Sequence, residues 1–309
     1  MAELMQVGFI GLGQMGRPMA ERLLCPEISL HVFDPDAAAM GRLTTLGAIG
    51  HPDPASVAGA AGLVLSCLPS PAVSEAVALG PDGIVKGQAV RTYVEMSTIG
   101  RRTVGRIADG LAERGIGLLD APISGGPPGA RTGTLAIMAS GLDDDLRRAE
   151  PALRRIGRSI HRVGQRPGLG QAMKLVNNLV VAANMASTFE ALVLGAAAGL
   201  YPRSMTDVLN ASTGRSMVSA EMVPQSVLNG HFDFGATIAI MEKDVALGLA
   251  EAAELGIPLR VLAESARLWR SALDEGRGSD DITALICRME EGAGITVRST
   301  EPPARGSDW

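Results

Sequence analysis

Residues 7–20 read VGFIGLGQMGRPMA: four strand-like residues run into Gly11, Gly13 and Gly16 and on into a helix-like stretch. No other segment limits the possible folds as much. The spacing G-x-G-x-x-G needs its first glycine for a tight strand-to-helix turn and its second so that backbone amides can approach a phosphate. Its third lets helix and strand pack closely. The helix that follows points unpaired N–H groups and its positive dipole end at an anion. Alone the triplet is weak, since loop glycines are commonly plain turn residues, but its context strengthens it. Leu30-His31-Val32-Phe33 reads as a second strand and ends at Asp34, about twenty residues on, where a dinucleotide-binding unit keeps its ribose ligand. A carboxylate there accepts hydrogen bonds from both ribose hydroxyls of NAD and repels a 2′-phosphate, which would want an arginine. Pro35 and Asp36 add no basic group. The expected cofactor contacts are Gly11, Leu12, Gly13, Gln14, Met15, Gly16 and Asp34, with NAD favoured over NADP. The competing reading of Asp34 is an N-cap for the helix expected over 36–46.

From residue 5 to about 162, apolar strand-like runs at 63–68, 89–95, 117–120 and 135–140 alternate with helix-like segments at 36–46, 72–79, 101–114 and 143–156. That alternation marks βαβ units and a largely parallel sheet. Gln165-Arg166-Pro167-Gly168-Leu169-Gly170 breaks the pattern and precedes a long helical stretch to about residue 200, so a domain boundary is expected there. Beyond it only helical periodicity follows, at 204–211, 238–255, 259–273 and 281–291. The expected fold class is α/β, a Rossmann-type doubly wound and mainly parallel sheet over 1–164, followed by an all-α domain over 165–295. A flexible tail is expected over 296–309.

The 309 residues, 46% of them hydrophobic, suffice for two ordinary domains. A net charge of -5 with scattered basic residues offers no stripe for a nucleic acid. Cys25, Cys67 and Cys287 are far apart without metal-ligand spacing, which favours a reduced cytoplasmic setting. The apolar region 175–200 is interrupted by Asn177, Asn178, Asn184 and Glu190, so it is expected to be a buried helix and not a membrane span. His31, His51, His161 and His231 share no spacing, and no metal site is expected.

Four further segments are candidates for chemistry. The stretch 119–130 ends a strand in a small-residue loop at the sheet's carboxyl edge, where Ser124 with the N–H groups of Gly125 and Gly126 could grip a carboxylate; a turn without a ligand is the alternative. Lys174 follows the Gly168–Gly170 break by one turn and has apolar neighbours. A desolvated lysine amine can exchange a proton with a carbonyl or hydroxyl oxygen during hydride transfer. Asn178 lies four residues on, where it could bind substrate or orient the amine. Lys243-Asp244 reads either as a solvated pair or as a cofactor contact, and Arg215 as an acid-recognition candidate or an ordinary exposed arginine.

Taken together these blocks resemble the 3-hydroxyisobutyrate dehydrogenase-like family of β-hydroxyacid dehydrogenases. Residues 9–19, FIGLGQMGRPM, are similar to its F-I-G-L-G-x-M-G-x-x-M signature. Asp120 to Gly126 resembles its D-x-P-V-S-G-G loop, and Gly133-Thr134-Leu135 its G-T-L. Gly168-Leu169-Gly170 with Lys174 and Asn177-Asn178 resembles G-x-G-x-x-x-K-x-x-N-N, and Lys243-Asp244 the later K-D. The resemblance implies that Lys174 is the general acid/base and that Ser124, Gly125, Gly126 and Asn178 bind the substrate's carboxylate and hydroxyl. It also implies that Leu68, Pro69, Thr98 and Lys243 line the cofactor, and that a helical C-terminal domain helps form a homodimer or homotetramer. Ile123 departs conservatively from the usual valine, and Ala236 stands where relatives often place an aromatic residue. The reaction so implied is NAD-dependent interconversion of a small 3-hydroxy acid and its semialdehyde. Two alternatives are an NAD(P)H-dependent reductase of tartronate semialdehyde, glyoxylate or succinic semialdehyde, and a non-catalytic dinucleotide sensor or scaffold.

Overall fold

The computed structural model describes residues 4–298, and the chain divides into two compact units between Val176 and Asn177. In the first unit nine strands form one sheet. They are β1 (Met5–Ile10), β2 (Ile28–Phe33), β3 (Ile49–Gly50), β4 (Leu63–Ser66), β5 (Thr92–Glu95), β6 (Gly117–Asp120), β7 (Ile123–Ser124), β8 (Leu135–Ser140) and β9 (Gly157–Gly164). Between them run α1 (Gly16–Leu23), α2 (Ala37–Thr45), α3 (Pro54–Ala60), α4 (Pro71–Leu79), α5 (Arg101–Ala112), α6 (Gly126–Thr132) and α7 (Asp143–Ile156). The strand order is β3-β2-β1-β4-β5-β6-β8-β7, with β9 beside β8. Strands β1 to β6 pair in parallel, whereas β8 is antiparallel to β6 and β7 and parallel to β9. The order reverses between β1 and β4, so the crevice at their carboxyl ends is where a doubly wound sheet takes a ligand.

Alternation along the strands divides the core in two. Val7, Phe9, Leu65, Val94 and Leu119 join Met19, Leu23, Leu43 and Leu153 on the face covered by α1, α2 and α7. Ile10, Val64, Tyr93 and Leu118 join Val57, Ala78, Val104 and Ile107 on the face covered by α3, α4 and α5. Burial on both faces is why these strands read as unbroken apolar runs. Five short or edge elements, β3, α3, β7, α6 and β9, carry no such run and are not evident from periodicity. Helix α6 occupies the loop expected after Ser124; Pro127 and Pro128 suit its first turn, and Gly133 ends it in the left-handed region at φ 70°.

The long helix α8 (Leu169–Ala197) has 29 residues, and the division between the units falls within it. It is followed by α9 (Pro202–Ala211), a π-helical segment (Val218–Val227), α10 (Ile238–Glu254), α11 (Arg260–Asp274) and α12 (Leu285–Ala293). Among the described residues of this second unit the one strand-like feature is an isolated bridge between Thr237 and Asp281. Helix α8 is long and apolar enough to cross a bilayer. Its stripe Leu179, Ala182, Met185, Phe189 and Leu192, however, packs in the second unit's core around Trp269, whose Nε1–H donates to Ala182 O at 3.3 Å. The tail expected from residue 296 lies outside the described residues beyond 298. Val297 is buried in the core, and the Arg298 guanidinium pairs with Glu290 at 2.6 Å and stacks 4.6 Å from the Phe232 ring.

Candidate active site

Three glycines shape the turn after β1, each for its own reason. Gly11 has φ 90°, and a Cβ there would meet Cys67 O at 2.3 Å. A Cβ on Gly16 would lie 1.7 Å from Gly11 O, so α1 can press on the turn only because position 16 is bare. A Cβ on Gly13 would meet nothing within 4 Å, so no protein contact excludes a side chain there. The open space beside an exposed backbone suits a bound group, and a pyrophosphate fits it.

Asp34, at the end of β2, accepts the Leu12 N–H through Oδ2 at 2.6 Å and the Asp36 N–H through Oδ1 at 2.8 Å. It therefore ties the glycine turn to the second strand. The helix N-cap is Asp36, whose side chain accepts from Ala38 N–H, so the capping alternative belongs to the residue two positions on. Across the crevice, Cys67 N–H donates to Ile10 O at 2.9 Å and Leu68 N–H to Ser97 Oγ at 2.7 Å. Leu68 and Thr98 are half-buried and Pro69 is exposed, all just past β4 or β5.

Polar groups absent from the expected site dominate the carboxyl ends of β4, β5 and β6. Ser66, Glu95 and Asp120 are successive register partners, and all three are buried. Glu95 accepts from Tyr93 Oη–H at 3.2 Å and from Ser97 N–H at 2.9 Å; burial raises its pKa, while bonds from Ser97 and Tyr93 oppose the rise. Asp120 Oδ2 accepts the Gly168 and Gln171 N–H groups, each at 2.9 Å, and Oδ1 accepts Gln171 Nε2–H at 2.8 Å. Burial pushes Asp120 up to about 6, the three N–H bonds hold it down, and the neighbouring Glu95 raises it. This carboxylate caps the N-terminus of α8 from another element, satisfying donors the helix itself cannot.

Lys174, half-buried, lies one turn past that cap. Ser124 pairs with Ala136 at the sheet edge, and the next two residues, Gly125 (φ 129°) and Gly126 (φ 60°), are both left-handed. In the second unit Asn178, 7% exposed, donates from Nδ2 to Asp244 Oδ2 at 2.6 Å and accepts from Asn177 Nδ2–H at 3.0 Å. Lys243 Nζ is 2.8 Å from Asp244 Oδ1. The Lys243-Asp244 pair is thus no solvated couple, because Asp244 is buried and also holds Asn178. His31 Nδ1 lies 2.8 Å from His51 Nε2, a pairing their spacing does not reveal. Among the described residues no group of three or more His, Cys, Asp or Glu is gathered for a metal.

The sequence motifs leave Gln171 and Glu95 unmarked, give Asp244 only as half of a Lys-Asp pair, and show Asp120 only as the start of a loop. No spacing marks those residues, whereas the lysines already named stand out by rarity: the chain has three, Lys86, Lys174 and Lys243, among 28 basic residues. Arginine cannot give up its proton near neutral pH and lysine can, so the rarity of lysine marks positions where the difference matters.

Residues 6–164 match the model for the NAD binding domain of 6-phosphogluconate dehydrogenase, and residues 168–289 the model described as NAD-binding of NADP-dependent 3-hydroxyisobutyrate dehydrogenase. The chain is 35% identical to 2-(hydroxymethyl)glutarate dehydrogenase of Eubacterium barkeri, over 96% of this chain and 99% of that protein. It is 35% identical to 3-hydroxyisobutyrate dehydrogenase of Pseudomonas aeruginosa over 84% and 90% respectively. Among solved structures, the 3-hydroxyisobutyrate dehydrogenase of Mycobacterium tuberculosis with L-serine superposes with a TM-score of 0.83 at 29% identity, covering 93% of this chain and 99% of that one. With an NAD(P)-binding sheet, a helical C-terminal unit and similarity along nearly its whole length, the chain belongs to the 3-hydroxyisobutyrate dehydrogenase-like family of β-hydroxyacid dehydrogenases.

Proposed function

We propose that the protein is an NAD-dependent dehydrogenase of small 3-hydroxy acids bearing a primary alcohol, with Lys174 as the proton carrier. The acids named for the relatives, 3-hydroxyisobutyrate and 2-(hydroxymethyl)glutarate, share the unit HOCH2–CH–COO⁻, a hydroxymethyl carbon next to a carboxylate-bearing carbon. That unit asks for a carboxylate anchor on one side and a proton acceptor at the hydroxyl on the other. The observation that carries the reading is the capped start of α8: Asp120 and Gln171 hold it on the sheet's carboxyl edge, the edge whose switch point bears the glycine turn, and Lys174 is three residues further on.

In this reading the turn at Gly11–Gly16, with Leu12, Gln14 and Met15, holds the pyrophosphate, and Asp34 receives the ribose hydroxyls. Leu68, Pro69 and Thr98 line the remainder. When bound, NAD supplies the acceptor for the hydride of the hydroxyl-bearing carbon. Ser124 and the N–H groups of Gly125 and Gly126 hold the carboxylate, since successive free amides form an anion-binding hollow. Asn178, fixed by Asp244, orients the hydroxyl. Lys174 Nζ takes the hydroxyl proton on oxidation and returns it on reduction. Orientation of the reacting groups supplies much of the acceleration. Asp34 favours NAD over NADP, because a carboxylate facing a 2′-phosphate is repulsive. The functional form is a homodimer or homotetramer in the cytoplasm; its three free cysteines suit a reducing compartment.

The test is Lys174→Ala assayed for NADH formation with 3-hydroxyisobutyrate and 2-(hydroxymethyl)glutarate. Loss of a general acid/base lowers kcat by roughly 10²- to 10⁴-fold with NADH binding kept. Turnover within tenfold of the natural chain would remove Lys174 from the role.

A further inference from the structure

The side chain of Gln171 is 0% exposed and uses its whole bonding capacity. Oε1 accepts the Ile99 and Gly100 N–H groups at 2.8 and 3.0 Å, and Nε2 donates to Ser97 O at 3.0 Å and Asp120 Oδ1 at 2.8 Å. Two lone pairs and two N–H groups are all that a carboxamide has. The arrangement also fixes which end is which, because a flipped amide would turn its N–H2 toward two N–H donors. The backbone N–H of the same residue donates to Asp120 Oδ2. One residue earlier, a Cβ on Gly170 would lie 2.6 Å from Met138 O and 2.9 Å from Asp120 Cγ. The first turn of α8 is therefore pressed directly onto β8 and the end of β6.

These bonds join two parts of the proposed site. Leu68 N–H donates to Ser97 Oγ, Ser97 O accepts from Gln171, and Gln171 is bonded to Asp120, which caps the helix turn leading to Lys174. The bonded chain runs from the proposed cofactor wall to the start of α8, and the helix backbone carries it on to Lys174. A leucine could fill the same volume but could make none of the four bonds, and a charged glutamate could make only the two in which it accepts.

We propose that Gln171 is a positioning residue: its carboxamide locks the first turn of α8 to the 97–100 segment and to Asp120, and so sets where Lys174 Nζ stands against the reacting carbon. The role rests on the reading of Lys174 as proton carrier. It predicts loss of chemistry with binding kept, and partial restoration by whatever returns a donor to position 171. Gln171→Glu provides that control. Ionised, it cannot donate to Ser97 O or Asp120; protonated, it recovers the two accepting bonds and one donating bond.

The experiment compares the natural chain with Gln171→Met and Gln171→Glu in three measurements. NADH titration by fluorescence gives sites per chain and Kd. Steady-state kinetics use whichever of 3-hydroxyisobutyrate and 2-(hydroxymethyl)glutarate the natural chain turns over faster. Trace acetylation with acetic anhydride, read by peptide mass spectrometry, gives the labelling of Lys174 relative to Lys86. Gln171→Met is expected to lose roughly 30-fold or more in kcat while KM and the NADH Kd stay within about threefold and the binding sites per chain are unchanged, as expected when transition-state positioning and not ground-state binding is lost. The kcat deficit of Gln171→Glu is expected to shrink at least fivefold between pH 8 and pH 6, and the Lys174:Lys86 labelling ratio of Gln171→Met to differ at least threefold from that of the natural chain. A kcat within threefold of the natural chain, or a kcat loss matched by an equal loss of NADH sites, overturns the positioning role. If the natural chain oxidises neither acid, the proposed reaction falls, and the labelling ratio alone then decides for or against the lock. If Gln171→Met does not fold, Gln171→Glu decides by the same criteria.

Discussion

Gly13 separates the needs of the fold from the needs of a ligand. A methyl group at position 13 meets no atom within 4 Å, and the residue is exposed without a positive φ. Gly13→Ala should therefore fold normally and gain about 0.4–1 kcal/mol, because alanine has fewer unfolded conformations to lose. The same methyl stands where a pyrophosphate must approach the backbone. Displacing one charge-assisted N–H bond to phosphate costs about 1.5–3 kcal/mol, a rise in Kd of roughly 10- to 150-fold. Gly16→Ala should behave in the opposite way. Its Cβ would sit 1.7 Å from Gly11 O and 3.1 Å from Phe9 Cε1, and neither a backbone carbonyl nor a fully buried ring can withdraw. That variant should lose several kcal/mol of stability, as overpacking against fixed atoms does. Thermal unfolding and NADH fluorescence titration on both variants decide the matter. If Gly13→Ala keeps its melting temperature and binds NADH within twofold of the natural chain, the turn is not a phosphate cradle.

Asp34→Ser should lower the NADH-to-NADPH preference in kcat/KM at least tenfold, since it removes the carboxylate that repels a 2′-phosphate; an unchanged ratio would place the selectivity elsewhere. Asp120, with a folded pKa of about 6 against an ordinary 3.8, contributes stability that is fully present below pH 3.8 and is lost as pH rises through 6. At 1.36 kcal/mol per unit the change is on the order of 3 kcal/mol. Amide exchange of β5 peptides should therefore show the natural chain losing about that much, relative to Asp120→Asn, between pH 4 and pH 7, and parallel pH profiles would refute the assignment. Trp269→Ala should destabilise the second unit by about 3–5 kcal/mol, because the indole is fully buried and its Nε1–H bond to Ala182 O is lost as well. Circular dichroism melts test it, and a change under 1 kcal/mol would mean the core collapses around the gap.

The strands of the sheet are legible where both faces are buried, because 63–65, 118–119 and 135–139 are then apolar runs that end at a polar residue. Elements β3, α3 and β9 are not, because two residues at an edge, a seven-residue helix and a half-exposed strand bury too little to impose a period. The glycine turn is legible at the level of spacing, since Gly11 and Gly16 answer to local backbone requirements and Gly13 to the approach of a ligand. Asp34 is legible as the residue that follows β2, but the sequence does not show that its carboxylate holds Leu12 or that the helix cap is Asp36.

What the sequence determined by itself is therefore local: which stretches are strands or long helices, where the backbone must turn sharply, and which motif family those turns resemble. The grouping of Glu95, Asp120 and Gln171 was decided only by tertiary structure. These residues lie in different elements, 25 positions separate the first two and 51 the last two, and nothing in the spacing of such residues encodes their meeting. It arises because β5 and β6 pair in register and because the unsatisfied N–H groups at the start of α8 need an acceptor when buried. The sheet offers one in Asp120.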